Sequence, residues 1–113
     1  MKNLMTSVHQ FIEERDWNQF HSPKNLSMAL GIEVAEMQEH FQWLTQEESK
    51  NLSEQKLKNV KEEIGDVLIY LIRICQVLGI DPINAANEKM FRNEQKYPVE
   101  KSKGNMKKYT ELQ

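Results

Sequence analysis

The sequence has few residues that break helices or cross-link loops: it contains one cysteine, three prolines and four glycines among 113 residues. A single cysteine, Cys75, excludes an internal disulfide and a cysteine-based zinc site. The longest apolar run, Val67 to Ile74, is interrupted by Arg73 and is too short to span a bilayer. The N-terminal residues also lack the apolar run and cleavage site of a secretory signal, so we expect a cytoplasmic protein.

Charge is distributed unevenly along the chain. Residues 89–108 carry seven basic and two acidic side chains, which is +5, so the net charge of −2 leaves −7 for the other residues. An acidic body with a basic C-terminal segment is suited to binding a metal together with a polyphosphate. A basic tail exposed to solvent would account for the same charge distribution equally well. The pI is near 5.9 and no recognition motif is present, so we do not expect nucleic-acid binding.

The spacing of apolar residues predicts an all-α fold in one domain, of the four-helix-bundle type, because no strand-like alternation is present. The predicted helices run from Leu4 to Arg15, from Pro23 to Leu44, from Ser53 to Leu78, and from Pro82 to the residue before Tyr97. Residues 45–52 are predicted to form a loop. Residues 1–98 are predicted to form the domain, and the basic residues 99–113 are expected to lie on its surface or to be partly disordered.

Two pairs of acidic residues occur at helical spacing, Glu33 with Glu36 and Glu63 with Asp66. Residues three apart are neighbours on the surface of a helix. Glu33 falls in the middle of the apolar stripe that should enter the core, where an unpaired charge is costly. A cation is therefore expected to neutralise it.

The two pairs would face each other if the second and third helices are antiparallel neighbours. Four carboxylates would then converge, and hard oxygen ligands without histidine or cysteine select Mg²⁺, with Mn²⁺ as a possible substitute. One such acidic pair on a helix is commonly only solvated surface charge. Two pairs, one of them inside an apolar stripe, favour the metal site.

The third predicted helix carries more apolar surface than a chain of this size can cover. Its apolar stripe consists of Leu57, Ile64, Leu68, Leu71 and Cys75, and from residue 67 onwards it is apolar on almost every side. A helix that is apolar all round must be buried all round. We therefore expect a second subunit to cover the remaining face.

The acidic pattern resembles that of the all-α nucleoside triphosphate pyrophosphohydrolases of the MazG-like superfamily. Their hallmark is E-x-x-E on one helix and E-x-x-D on the next, which here reads Glu33 to Glu36 and Glu63 to Asp66. Further segments resemble the dCTP pyrophosphatase-like branch: residues 14–26 (ERDWNQFHSPKNL), 41–43 (FQW), 66–71 (DVLIYL), 89–90 (KM), 97–98 (YP) and 108–112 (KYTEL). The resemblance covers nearly the whole chain.

The resemblance implies an all-α NTP pyrophosphatase fold and hydrolysis between the α and β phosphates, which releases a nucleoside monophosphate and pyrophosphate. It implies a homotetramer built as a dimer of dimers. The implied Mg²⁺ ligands and catalytic residues are Glu33, Glu36, Glu63 and Asp66. Glu36, at the edge of its apolar stripe, is our candidate for the general base that acts on water.

The resemblance also implies a set of substrate contacts at matching positions: Trp17, Trp43, Tyr70, Lys89 and Asn93. The two tryptophans would line the base pocket, and the other three would contact phosphate or sugar.

The base preference is left open, because the chain differs from the family branch at one position of the first helix. The family branch has a base-contacting histidine there, whereas Val8 occupies the matching position in this chain and His9 follows it. His9 is therefore kept as a candidate substrate contact. The sequence predicts cleavage of (d)NTPs, with dCTP or related deoxynucleotides as substrates, in control of the nucleotide pool.

Two alternatives to this prediction remain. One is a pyrophosphatase that prefers dUTP or damaged nucleotides. The other is a non-catalytic helical interaction module whose acidic residues bind a structural cation or a basic partner. The enzyme is favoured because a partner-binding face does not require acidic residues inside an apolar stripe.

Overall fold

A computed structural model of the protein describes residues 1–104. Over these residues the chain forms helices and no strands, which confirms the predicted all-α fold. The α-helices are α1 (Lys2–Glu14), α2 (Pro23–Glu39), α3 (Gln46–Lys50), α4 (Glu54–Leu78), α5 (Pro82–Lys96) and α6 (Val99–Ser102), and a 3₁₀ turn spans Asn18–Phe20. The chain divides into two compact units, Met1–Ile80 and Asp81–Gln113.

The ends of the long helices follow from local side chains. The Ser22 hydroxyl accepts a hydrogen bond from the Asn25 backbone N–H at 3.1 Å, and Pro23 occupies the first helical position of α2. The Ser53 hydroxyl caps α4 in the same way. Gly79 ends α4 with a φ of 70°, a left-handed conformation that glycine adopts without a side-chain clash.

Two boundaries predicted from the sequence are wrong. Helix α2 ends at Glu39 and not at Leu44, and residues 40–44 form turns. The predicted loop at 45–52 contains the short helix α3. Its start is stabilised by a capping box, because Glu48 N–H donates to the Thr45 hydroxyl while the Glu48 carboxylate accepts from Thr45 N–H.

The core of the first unit forms where α1 and α2 pack on α4. Val8 and Ile12 of α1 are buried against Ile72 of α4, with Met5 and Leu68 at the edge of this cluster. Leu26 is also fully buried on α2. Burial of these side chains is the main force that holds the three helices together.

One face of α4 remains exposed in the protomer. Leu57, Ile64, Leu71 and Leu78 follow one another at intervals of seven residues and are 58%, 52%, 42% and 52% exposed. Of the apolar stripe predicted for this helix, only Leu68 and Cys75 are covered substantially. The interior of the protomer therefore uses a different face of α4, which includes Val60 and Ile72.

The second unit begins with α5. The Asp81 carboxylate accepts hydrogen bonds from the backbone N–H groups of Ile83 and Asn84, and Pro82 again occupies the first helical position. The basic segment predicted to follow residue 98 opens with the helical turn α6, and its residues 105–113 lie outside the described part of the chain. No helix within residues 1–104 has the length and apolarity needed to cross a membrane.

Candidate active site

The acidic side chains of α2 and α4 approach one another within the first unit. Glu33, Glu36 and Glu63 are half-buried, and one carboxylate oxygen of each lies within 4.8 Å of the others. Two ligand oxygens on opposite sides of Mg²⁺ are about 4.2 Å apart, so the spacing of these oxygens is compatible with a single ion between them. Asp66 is exposed and lies outside this group of three, which we call the acid cluster.

The acid cluster contains buried oxygen atoms without partners. Among residues 1–104, Glu33 Oε2 and Glu63 Oε2 are buried and accept no hydrogen bond. An unsatisfied buried acceptor carries its full desolvation cost, and a carboxylate carries more than a neutral group. A hard divalent cation would satisfy both oxygens, so the residues present fit a magnesium ion.

The surroundings of Glu33 disfavour the charged form of its carboxyl group. Burial of its carboxyl group, followed by the negative charges of Glu36 and Asp66, raises the pKa of Glu33 to about 7. Crowded carboxylates favour the protonated form of one member, and a bound cation reverses that preference. Asp66 therefore acts on the cluster electrostatically although its oxygens stand outside it.

His40 also borders the acid cluster. Its Nε2 atom lies 3.9 Å from a carboxylate oxygen of Glu63. The site residues predicted from the sequence omit His40, although its spacing offers a signal. His40 follows Glu36 by four residues, and this spacing places two side chains on the same face of a helix.

A mostly apolar cavity of about 380 Å³ lies between α1, the 3₁₀ segment and α4. Phe11 and Trp17 form part of its wall, with their ring centroids 5.6 Å apart in an edge-to-face arrangement. Tyr70 and Asp66 of α4 also line it. Asp66 therefore belongs to the wall of the cavity and to the surroundings of the acid cluster, so the two sites are adjacent.

The cavity wall is supported by a buried arginine. Arg73 is 5% exposed and donates to three neutral acceptors: His21 Nδ1 at 3.2 Å, Gln76 Oε1 at 3.1 Å, and Asn18 Oδ1. Gln76 in turn donates to the backbone carbonyl of Met5 at 2.7 Å. These bonds fix the segment that carries Trp17 to both α4 and α1. The site residues predicted from the sequence include neither Arg73 nor His21.

His21 lines the cavity, and its charge is suppressed by its surroundings. Burial, followed by the positive charge of Arg73, lowers the pKa of His21 from its ordinary value. A histidine in this position is neutral at physiological pH.

The other substrate contacts predicted from the sequence are not among the residues that line this cavity. Trp43 is 86% exposed on the turns after α2 and does not line the cavity. His9 is exposed on α1 beside Glu13, also outside the lining, whereas Val8 is part of it. Lys89 and Asn93 lie on α5 in the second unit.

Comparison with known proteins gives consistent results. The MazG-like family pattern matches residues 28–112. dCTP pyrophosphatase 1 of Rattus norvegicus is 43% identical over 105 residues, and that of Homo sapiens is 41% identical over the same length. Each alignment covers 91% of this chain and 62% of the relative, so the chain spans less than two thirds of the length of these relatives.

A solved structure also matches the fold. A pyrophosphatase from Archaeoglobus fulgidus superposes with a TM-score of 0.82 at 44% identity, over 87% of this chain and 92% of the other. The matched family pattern includes both acidic pairs and Tyr70. The chain therefore belongs to the MazG-like family.

Proposed function

We propose that this protein is a Mg²⁺-dependent nucleoside triphosphate pyrophosphohydrolase that converts dCTP or a related deoxynucleotide to the monophosphate and pyrophosphate. The observation that carries the proposal is the acid cluster, with its two unpartnered buried oxygens, beside an apolar cavity whose wall includes Asp66, the carboxylate whose charge acts on Glu33. The names of the relatives, dCTP pyrophosphatase and pyrophosphatase, support the same reaction.

In the proposed site, Glu33, Glu36, Glu63 and Asp66 hold the metal. Bound Mg²⁺ supplies positive charge that neutralises the non-bridging phosphate oxygens. Its identity rests on the all-carboxylate donor set, for which Mn²⁺ is a possible substitute. Asp66 lies at the boundary with the cavity, so the triphosphate would extend from the cavity towards the acid cluster.

The chain's own residues would then orient and activate water. Glu36 is proposed to accept a proton from the water that attacks the phosphoanhydride between the α and β phosphates. As the water oxygen bonds to the α-phosphorus, the bond from that phosphorus to the bridging oxygen breaks, and pyrophosphate leaves with this oxygen and the electron pair of the broken bond. Trp17 and Tyr70 line the cavity, where they would contact the base and sugar.

The other proposed substrate contacts rest on the family resemblance. They are Trp43, His9, Lys89 and Asn93. Lys89, Arg92 and Lys96 recur at three- and four-residue spacing on α5 and would contribute positive charge near a polyphosphate.

We also infer a homo-oligomer, a dimer of dimers, in which a second protomer covers the exposed face of α4. The seven-residue spacing of Leu57, Ile64, Leu71 and Leu78 is typical of a helix that packs against another helix. Light scattering coupled to gel filtration measures the assembly directly. A monomer at micromolar concentration would contradict this inference.

The test of the activity is a substrate panel. Purified protein with Mg²⁺ is incubated with canonical, uracil-containing and damaged dNTPs, and the products are separated by ion exchange. Release of pyrophosphate with dCMP from dCTP is expected, whereas stronger turnover of dUTP or of a damaged nucleotide would select the alternative substrates. No pyrophosphate from any nucleotide would overturn the proposal and favour the non-catalytic module.

A pair of matched variants tests the assignment of the carboxylates. Glu36→Gln is expected to lower kcat by about a hundredfold or more, as loss of a general base does, with folding retained. Glu62→Gln removes an exposed carboxylate from α4 and is expected to leave kcat unchanged. Equal activity of the two variants would remove Glu36 from the mechanism.

A further inference from the structure

The two carboxylate oxygens of Glu63 have different surroundings. Oε1 lies 3.9 Å from Nε2 of His40, whereas Oε2 is buried and accepts no hydrogen bond from residues 1–104. Both side chains of this pair are largely covered, with exposed fractions of 19% for Glu63 and 24% for His40. One oxygen of the carboxylate therefore lies beside an imidazole nitrogen, and the other stays available to a cation.

The end of α2 places His40 beside α4. The helix ends at Glu39, and His40 is its C-terminal capping residue, with φ −70° and ψ −17°. These angles continue the helical path for one residue, so His40 follows Glu36 by one turn and approaches Glu63 from the end of the acid cluster. The His40 backbone N–H donates to the Met37 carbonyl at 3.2 Å, which fixes the backbone that carries the imidazole.

An imidazole at this place presents a donor in either charge state. The protonated ring and the neutral tautomer with its hydrogen on Nε2 both have an N–H group there. The separation of 3.9 Å is longer than a hydrogen bond, and a displacement of about 1 Å closes it. His40 lies outside the three carboxylates whose oxygens approach within 4.8 Å of one another, so it borders the metal ligands and does not join them.

We propose that His40 is a positioning residue for the metal site, whose Nε2–H donates to Glu63 Oε1 and so leaves Oε2 of the same carboxylate to the cation. The inference rests on the proposed function, because it takes Glu63 as a metal ligand. A hydrogen bond to one oxygen fixes the rotation of a ligating carboxylate, and loss of such a partner lowers metal affinity by roughly tenfold to a hundredfold.

The test measures metal affinity in the absence of nucleotide. Mn²⁺ binding is followed through the EPR signal of the free ion, and Mg²⁺ binding through competition with Mn²⁺. His40→Leu is expected to raise the Kd of both ions by roughly tenfold, and His40→Gln, which keeps an N–H donor, is expected to recover much of the affinity. Gln38→Leu makes the same replacement at an exposed position of α2 and is expected to change neither Kd.

Two results of these titrations would overturn the inference. One is a Kd that is unchanged in His40→Leu, or equally raised in His40→Gln. The other is a loss of affinity confined to Mn²⁺, with a directly bonded ¹⁴N in the ENDOR spectrum of the bound ion, because an imidazole ligand discriminates between the two metals and a partner of Glu63 does not.

A second background tests whether His40 acts through Glu63. Glu63→Asp keeps a carboxylate but shortens the side chain by one methylene, which takes it out of reach of the imidazole. His40→Leu is then expected to change the Kd of Mn²⁺ by less than about twofold. The same tenfold loss in both backgrounds would show that His40 does not act on the metal through Glu63.

A measurement on the unmodified protein does not depend on the folding of any variant. Mg²⁺ is expected to shift the ¹⁵N resonance of His40 Nε2. It is expected to leave that of His9 unchanged, which lies 3.8 Å from Glu13 on the exposed side of α1. A His40 resonance that Mg²⁺ does not shift would contradict the proposed contact.

The outcomes separate this inference from the proposed function. If His40→Leu weakens metal binding as expected while the wild type releases pyrophosphate from no nucleotide, the role of His40 stands and the proposed activity fails. If the wild type hydrolyses dCTP and His40→Leu binds both ions as the wild type does, the activity stands and the role of His40 fails. Wild-type protein that binds neither ion would also overturn the inference.

Discussion

Replacing Glu33 with glutamine removes a carboxylate whose ionised form is disfavoured in the folded protein. The folded protein raises the pKa of Glu33 from 4.5 to about 7, through burial and then through the charges of Glu36 and Asp66. In the absence of a divalent cation, the ionised carboxylate therefore opposes folding above pH 7. Glu33→Gln is expected to unfold at a higher urea concentration than the wild type under those conditions.

The size of the effect follows from the shift. A displacement of about two and a half units corresponds to roughly 3 kcal/mol as an upper limit. The cluster is only half-buried, and water screens its charges, so we expect a gain of about 1 kcal/mol in the free energy of unfolding. Glu62→Gln, at an exposed position of α4, is expected to change it by less than about 0.5 kcal/mol.

The pH dependence has a definite sign. Because the folded-state pKa is raised, the wild type is not penalised below the unfolded value of 4.5 and loses stability as pH rises through 7. The advantage of Glu33→Gln should therefore be largest near pH 8 and should vanish near pH 4.5. Urea unfolding followed by circular dichroism, at one fixed protein concentration in EDTA, measures the difference in the free energy of unfolding at both pH values.

Mg²⁺ should reverse the order of stability. Saturating metal stabilises the wild type by binding the folded state, by about 3 kcal/mol at a hundredfold excess over Kd, whereas the glutamine variant has lost one ligand. The reasoning would be refuted if Glu33→Gln were no more stable than the wild type at high pH without metal. It would also be refuted if the difference were the same at both pH limits.

Two further changes test the packing that supports the site. Arg73→Met leaves the acceptors on Asn18 and His21 without their donor and should lower the free energy of unfolding by about 2 kcal/mol. The control Lys58→Met, at an exposed position of α4, should cause no significant change. Equal stability of the two variants would show that the buried hydrogen bonds contribute nothing. Gly79→Ala forces alanine into the left-handed region at φ 70° and should lower the free energy of unfolding by about 1 kcal/mol. Gly31→Ala lies inside α2 with no atom within 4 Å of the new Cβ, and it should raise the free energy of unfolding by roughly the same amount. A thermal unfolding midpoint that shifts in the same direction for both variants would contradict this.

The approach of Glu33, Glu36 and Glu63 could be predicted from the sequence because it depends on local geometry. Spacing of three residues places two carboxylates together on one helix, and an acidic residue inside an apolar stripe is directed towards the neighbouring helix. The helix starts were predictable for the same reason, since Ser22 and Ser53 act on backbone groups only three residues away.

Long-range partners could not be predicted in this way. His21 and Arg73 are 52 residues apart, and no periodicity connects them. In the sequence Arg73 is only an interruption of an apolar run, and its burial depends on how α1 and the 3₁₀ segment pack on α4. The end of α2 was missed because no glycine or proline lies between Glu39 and Thr45 to mark it.

Asp66 lies on the wall of the cavity, and its charge acts on Glu33, so binding of a cation at the acid cluster and of an anion in the cavity is expected to be thermodynamically linked. A cation in the acid cluster lowers the negative potential that an anionic ligand meets at the cavity, so it should increase the affinity of that ligand. Linkage is reciprocal, so a nucleotide bound in the cavity would increase the affinity for the cation by the same factor. Cooperativity between metal and nucleotide would then require no conformational change, only the charge of a carboxylate that borders both sites.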